Sequence, residues 1–145
     1  MYTKMNFLPL FWIGIVLVLP LGSNGNVIPL TDSDFDEMTS QNKVMVKFYT
    51  NSCGYCKEMA EPYNDLAKEL KDTGSDIKAA EVDCDKYRNS CVKGGVKSIP
   101  TLKYYRNGYP TEYKGYRTAK SMLQWLTSQP TQDVQSALHT LLSDV

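Results

Sequence analysis

The sequence predicts an α/β fold, a central mixed β-sheet flanked by helices on both faces. Three observations carry that prediction. Short apolar runs of strand character alternate with amphipathic helical patterns from residue 26 to residue 130. Asn107-Gly108 separates two alternating segments as a tight hairpin turn would. Before that hairpin, helices bridge successive strands, the connection that returns a strand parallel to its predecessor.

Residues 26–30 read as a short first strand. Thr31-Asp32-Ser33-Asp34 then offers capping oxygens to a helix carrying Phe35 and Met38, with Glu37 in its first turn. Val44-Met45-Val46-Lys47-Phe48-Tyr49 is the centre of a buried strand at 43–50. Met59, Tyr63, Leu66, Ala67 and Leu70 recur at helical spacing, predicting one helix over about 55–71 with Gly74 as its stop. Residues 77–82 read as a strand, and 83–93 as a polar, helix-like turn holding Cys84 and Cys91. Residues 101–105 and 109–114 alternate as the two hairpin strands. Thr118 caps a helix with Met122, Leu123, Trp125 and Leu126, ended before Pro130. Val134, Leu138, Leu141 and Leu142 suggest a tail helix in 131–145 that packs loosely or frays, a partner-binding helix being the alternative. Met45, Met59 and Met122 suit core filling, Tyr104, Tyr105, Tyr109, Tyr113 and Tyr116 a half-buried hairpin, and His139 a solvated tail.

The 145 residues balance 16 Lys and Arg against 16 Asp and Glu, and no basic patch marks a nucleic-acid binder. Residues 1–25 stand apart. Met1 to Asn6 carries one cation, Lys4, Phe7 to Leu21 is almost wholly apolar, and Gly22-Ser23-Asn24-Gly25 is small and polar. That is the layout of a cleaved secretory signal peptide. An apolar stretch of about 15 residues, interrupted by Pro9 and Pro20, falls short of the roughly 20 that span a bilayer, so a retained anchor is the weaker reading. Cleavage would leave about 120 residues, one domain with its own core, a formal net charge of −1 and no membrane attachment. All four cysteines lie in that part, where an oxidising compartment favours their pairing.

Cys53-Gly54-Tyr55-Cys56 joins the strand at 43–50 to the helix that follows. Two thiols three positions apart suit thiol–disulfide exchange. At a helix start, unpaired N–H groups and the positive end of the dipole favour a thiolate, and can lower a cysteine pKa from about 8.5 to between roughly 3.5 and 7.5.

Cys53-Gly54-Tyr55-Cys56-Lys57, Ser98-Ile99-Pro100-Thr101 and Tyr113-Lys114-Gly115-Tyr116-Arg117, in this order and spacing, resemble a single thioredoxin-like domain of the protein disulfide isomerase family. The resemblance covers nearly all of the chain after the predicted signal. It implies that Cys53 is the attacking thiolate, Cys56 the resolving thiol, and the two together the redox-active disulfide. It implies a cis Ile99–Pro100 bond, with Tyr55, Ile99 and Pro100 at the substrate-docking surface. Arg117 matches a mobile arginine that can swing toward the resolving cysteine and lower its pKa. Cys84 and Cys91 match a second pair in some of the family's domains and read as a structural disulfide. A zinc site from all four cysteines is the rival, disfavoured because a second short Cys-x-x-Cys knuckle is missing.

Three positions depart from the family's pattern. Ser52 replaces the usual Trp before the first cysteine, which should make the site wetter and its docking surface less apolar, the alternative being a tolerated loop residue. Tyr55 replaces the usual His between the cysteines; a neutral phenol cannot stabilise the reduced thiolate as a cationic imidazole does. The pair should therefore be less oxidising, with a potential between about −180 and −270 mV. Third, the family's buried acid six residues before the first cysteine is Lys47 here, and its partner Lys is Glu81. The exchange nominates Glu81 as proton acceptor for Cys56 and Lys47 as its partner, against the alternative that both side chains reach solvent as ordinary strand residues.

The resemblance implies a thiol–disulfide oxidoreductase or isomerase that forms, rearranges or reduces disulfides in secretory-pathway proteins. Its partners would be cysteine-containing clients, with glutathione or an upstream thiol oxidase, and the domain would act as a monomer. No metal, nucleotide or flavin motif is visible, so the dithiol itself is the redox group and no cofactor is implied. The expected location is the endoplasmic reticulum lumen or outside the cell, and the final residues, Leu141-Leu142-Ser143-Asp144-Val145, are not a Lys-Asp-Glu-Leu-type retention signal. Two other classes remain open: an escort or chaperone module that traps client thiols with little turnover, and a membrane-tethered reductase.

Overall fold

The elements run β1 (Ile28–Pro29), α1 (Phe35–Gln41), β2 (Lys43–Tyr49), α2 (Gly54–Glu58), α3 (Ala60–Asp72), β3 (Ile77–Asp83), α4 (Arg88–Lys93), β4 (Thr101–Arg106), β5 (Tyr109–Tyr113) and α5 (Ala119–Ser128). The computed structural model describes residues 27–130 and 140–142. The predicted signal peptide at 1–25 and most of the predicted tail helix at 131–145, His139 included, lie outside the described residues. The sheet order is β1-β3-β2-β4-β5. β2 and β3 are parallel, as are β3 and β1, while β4 is antiparallel to β2 and β5 to β4. This is the mixed sheet that the sequence predicts.

Alternation along each strand decides which face a side chain meets. Val44, Val46 and Phe48 of β2 pack with Leu30, Phe35, Ala80, Val82 and Cys91 under α1 and α4. Met45 faces the opposite way, into a core with Met59, Tyr63, Leu66, Leu70, Met122 and Leu126. Ala79 of β3 lies in that second core as well. Lys47 follows Met45 by two residues and Glu81 follows Ala79 by two, so both charged side chains belong to the α3 face.

Turn chemistry closes the elements as predicted in three places. The N–H of Gly74 reaches the Lys71 carbonyl and that of Ser75 the Leu70 carbonyl, with Gly74 at φ 66°, so the glycine ends α3 in a Schellman turn. Asn107 and Gly108, at φ 51° and 84°, make the tight turn between β4 and β5. The Thr118 hydroxyl accepts the Ser121 N–H at 3.2 Å and caps α5.

Four expectations are corrected. The single helix over 55–71 is two, broken at Met59. Pro62 has no N–H to give to the Glu58 carbonyl, and its ring crowds that carbonyl out. The first strand is only Ile28–Pro29 rather than five residues. Asp34 occupies the N-cap of α1 but makes no cap hydrogen bond; its carboxylate instead accepts from the Thr31 hydroxyl at 2.8 Å. The hairpin tyrosines are not uniformly half-buried. Tyr104, Tyr105 and Tyr113 are buried, whereas Tyr109 and Tyr116 are 80% and 83% exposed. β5 is an edge strand interrupted by Pro110, and only its last residue is buried against the domain.

Candidate active site

The site is built at the C-terminal end of β2. The Thr50 carbonyl just past that end accepts the Cys53 N–H at 3.4 Å, turning the chain into α2. Cys53 is the N-cap of α2, and its Sγ accepts the Cys56 N–H at 3.1 Å. The two cysteines are joined as a disulfide with their Cα atoms 5.2 Å apart. Their accessibilities differ: Cys56 is 4% exposed, whereas Cys53 is half-buried at the surface. An incoming sulfur can therefore reach Cys53 and not Cys56. The Tyr55 ring between them is 68% exposed, and the Ser52 hydroxyl lies 3.4 Å from that of Thr50.

Beneath the dithiol, the parallel register sets Lys47 directly opposite Glu81. Lys47 Nζ lies 2.7 Å from Glu81 Oε2, with the lysine side chain 5% exposed and the glutamate 25%. The reading in which both reach solvent as ordinary strand residues does not hold for Lys47, whose side chain is buried. Its ammonium also sits 5.0 Å from the Tyr49 ring centroid and 4.9 Å from that of Tyr63. Burial pushes the Tyr63 hydroxyl well above its ordinary pKa, and burial, then the carboxylates of Glu81 and Asp83, raise that of Tyr49. Both rings are neutral platforms for the cation. Lys47, Glu81 and Cys56 line one cleft of about 260 Å³, together with Tyr49, Ala60 and Asn64.

Ile99–Pro100 is cis. Thr101 pairs with Phe48 across β2 and β4, so Pro100 stands level with the end of β2 from which the Cys53 turn departs. The Thr101 hydroxyl donates to the Ser98 carbonyl at 2.5 Å and fixes this segment. Pro100 lines a cleft of about 230 Å³ with Met59, Ser98, Lys114 and Arg117. The Arg117 guanidinium lies 5.9 Å from the Tyr55 ring centroid. Here the arginine lies over the Tyr55 ring at the mouth of the site.

Cys84 and Cys91 are joined to each other, with Cα atoms 5.8 Å apart. The Cys84 N–H donates to the Tyr49 carbonyl at 2.8 Å, so this bridge ties α4 to the same strand end that carries the dithiol. The four cysteines thus form two separate disulfides.

The sequence reading missed the part played by Tyr63 and Tyr49. Tyr63 reads only as an apolar position of a helix, yet its hydroxyl sits between the carbonyls of Met45 and Ala80 at 2.6 and 2.8 Å and locks α3 onto β2 and β3. No local signal marks a ring that will cover a lysine on another element. The nearest hint is a lone lysine inside an apolar strand, which needs a partner from somewhere.

Comparison with known proteins places this arrangement. Protein disulfide-isomerase 1 of Caenorhabditis elegans is 40% identical over 102 residues, 70% of this chain and 21% of that protein. Protein disulfide-isomerase of Oryctolagus cuniculus is 37% identical over 105 residues, again 70% of this chain and 21% of the relative. The chain thus spans about a fifth of the length of each of these relatives. The solution structure of the first thioredoxin domain of mouse protein disulfide-isomerase A4 superposes with a TM-score of 0.65 at 33% identity, covering 74% of this chain and 78% of that one. Residues 26–128 match the family model described as Thioredoxin. With that match over most of its length, and with the dithiol, the cis-proline and the mixed sheet in place, the chain belongs to the thioredoxin family, as a single domain of the kind found in protein disulfide-isomerases.

Proposed function

We propose that this domain is a thiol–disulfide oxidoreductase acting on cysteines of other proteins, with Cys53 as the attacking sulfur and Cys56 as the resolving one. The observation that carries the reading is the asymmetry of the pair: one partly exposed cysteine bonded to one buried cysteine just past the end of the central strand. From the disulfide state, a client thiolate attacks Cys53 Sγ, a mixed disulfide forms, and Cys56 leaves as thiolate. A second client thiolate then attacks the client sulfur of the mixed disulfide, forming the client disulfide and releasing Cys53 as thiolate. In the reducing direction, Cys56 loses its proton and attacks Cys53 Sγ, expelling the client thiolate.

Glu81 is the proton acceptor for Cys56 in that last step, held by Lys47 on the wall of the shared cleft, which has room for bridging water. Arg117 modulates Cys56 from the rim, and Tyr55, Ile99 and Pro100 form the docking surface. Cys84–Cys91 is structural. Clients are cysteine-containing proteins, with glutathione or a thiol oxidase restoring the redox state, and the domain acts as a monomer. A secretory setting, lumenal or extracellular, agrees with the signal-like character of residues 1–25. Among the described residues no helix is long and apolar enough to cross a membrane.

Reactivation of scrambled ribonuclease tests the reading. Turnover should be abolished by Cys53→Ser, and Glu81→Gln should leave formation of the mixed disulfide intact while slowing its resolution about tenfold or more, a general-base-sized effect. Stable mixed disulfides without turnover in the wild type would make the domain an escort instead.

A further inference from the structure

The Ser98–Thr101 segment is a ridge between two clefts, since Ser98 lines both. One holds Pro100 and Arg117 and belongs to the site already described. The other, about 330 Å³, has no role in the exchange chemistry. Its walls include Thr50, whose carbonyl holds the Cys53 N–H, and Ile99, which precedes the cis-proline, so it opens beside the reactive sulfur.

The cleft is preformed. Its α4 wall is tied to the end of β2 by Cys84–Cys91 and anchored from below by Ser90, whose N–H and hydroxyl donate to Asp32 Oδ1 at 2.8 and 2.7 Å. At Gly94 a Cβ would come within 2.8 Å of the Phe48 ring, so the turn after α4 sits directly on the core, and Lys103 Nζ donates to the Gly94 carbonyl at 2.5 Å. A wall fixed in this way loses little freedom when a ligand settles on it.

Its chemistry is apolar with an excess of positive charge. Val96 and Ile99 are partly buried in the lining, while Val92 beside them is 70% exposed, an apolar side chain that nothing among the described residues covers. Arg88 and Lys97 bring two cations, both exposed, and Asp85 one carboxylate. Lys86 and Lys93, the other cations of this loop and helix, are paired with Asp83 and Asp36 and leave the sign of the cleft to Asp85, Arg88 and Lys97. The net positive sign contrasts with a chain whose total formal charge is zero.

From this the structure assigns a second client subsite: the cleft beside Cys84–Cys91 receives an extended client segment carrying an acidic side chain near its cysteine, with Arg88 and Lys97 facing the carboxylate and Val92, Val96 and Ile99 its aliphatic neighbours. The inference rests on the proposed reading that clients dock along the cis-proline ridge. It makes the domain selective among clients before any sulfur chemistry begins, since opposite charges at a rim steer encounter and register.

The test uses binding without turnover. Two ten-residue peptides with Ser in place of the client Cys, one flanked by two Glu and the other by two Lys, are titrated into the disulfide form and followed by methyl NMR. The Glu peptide should shift the Val92, Val96 and Ile99 methyls and bind about fivefold more tightly than the Lys peptide, as two exposed ion pairs allow. That preference should shrink in 0.5 M salt, roughly where the screening length falls below 5 Å, and should vanish in R88E/K97E. Equal affinities, or Glu-peptide shifts confined to the Met59, Thr101 and Leu102 methyls across the ridge, would overturn the subsite. Ribonuclease reactivation is scored separately: methyl shifts without reactivation sink the oxidoreductase reading and leave the subsite standing, while reactivation without a charge preference does the reverse.

Discussion

Lys47 Nζ lies 2.7 Å from Glu81 Oε2, across the parallel pair of β2 and β3 and on the face that carries Cys56. The lysine is buried and the glutamate partly open, so the cation is the member that depends on the pair. Two neutral tyrosine rings complete its surroundings. This is a charge arrangement inverted from the one the isomerase resemblance implies, and it remains a pair because either charge alone would be stranded under the dithiol.

A charge-swap cycle measures that dependence. Lys47→Glu sets two carboxylates opposite each other, Glu81→Lys two cations, and each should cost about 2–3 kcal/mol in urea unfolding, at or below the lower end of what breaking a buried pair costs because Glu81 keeps some water. The double swap should recover more than half of the summed loss. Additive losses would mean that the two side chains do not interact.

Tyr55→His should make the dithiol more oxidising. An imidazolium beside Cys53 stabilises the reduced thiolate, which the phenol of an exposed Tyr55 cannot do. Equilibration in glutathione buffers should show a potential raised by about 30 mV or more, a change of about 1.4 kcal/mol in the couple. An unchanged or lower potential would show that Tyr55 does not set the poise.

Removing the second bridge should destabilise the domain without touching the dithiol. The loop it closes is short, so the chain-entropy contribution is about 2.5 kcal/mol. Cys84→Ala/Cys91→Ala should lower the urea midpoint accordingly, with some further loss because Cys91 packs from α4 into the core. A loss well under about 1 kcal/mol would contradict a structural role.

The acid limb of stability should depend on Asp32. The hydroxyl and then the N–H of Ser90 hold its carboxyl below the ordinary aspartate range. A carboxylate whose pKa is depressed by folding contributes stability above its unfolded pKa of about 3.9 and loses it as pH falls through the lower folded value. In a series of melting temperatures from pH 6 to pH 2, the wild type should fall more steeply than Asp32→Asn below about pH 4. Parallel curves would remove the linkage.

What the sequence determined by itself is what lies in local pattern. Apolar runs, the Asn107-Gly108 turn, the Thr118 cap and the Gly74 stop each depend on neighbours a few residues away, and each is found where the pattern puts it. Cys53 and Cys56 were legible for the same reason, as was the exchange of Lys47 and Glu81, which follows from counting positions against the family's motif. The break at Met59 was also legible in principle, because Pro62 announces it. The tertiary structure decided what depends on residues far apart in the chain. Parallel register brought Lys47 level with Glu81, a helix from beyond the dithiol laid the Tyr63 ring on that lysine, and the Cys84–Cys91 bridge set a charged, apolar cleft beside Ile99. Burial is a sum over distant neighbours, so the sequence could name the charged pair, but only packing could bury its lysine.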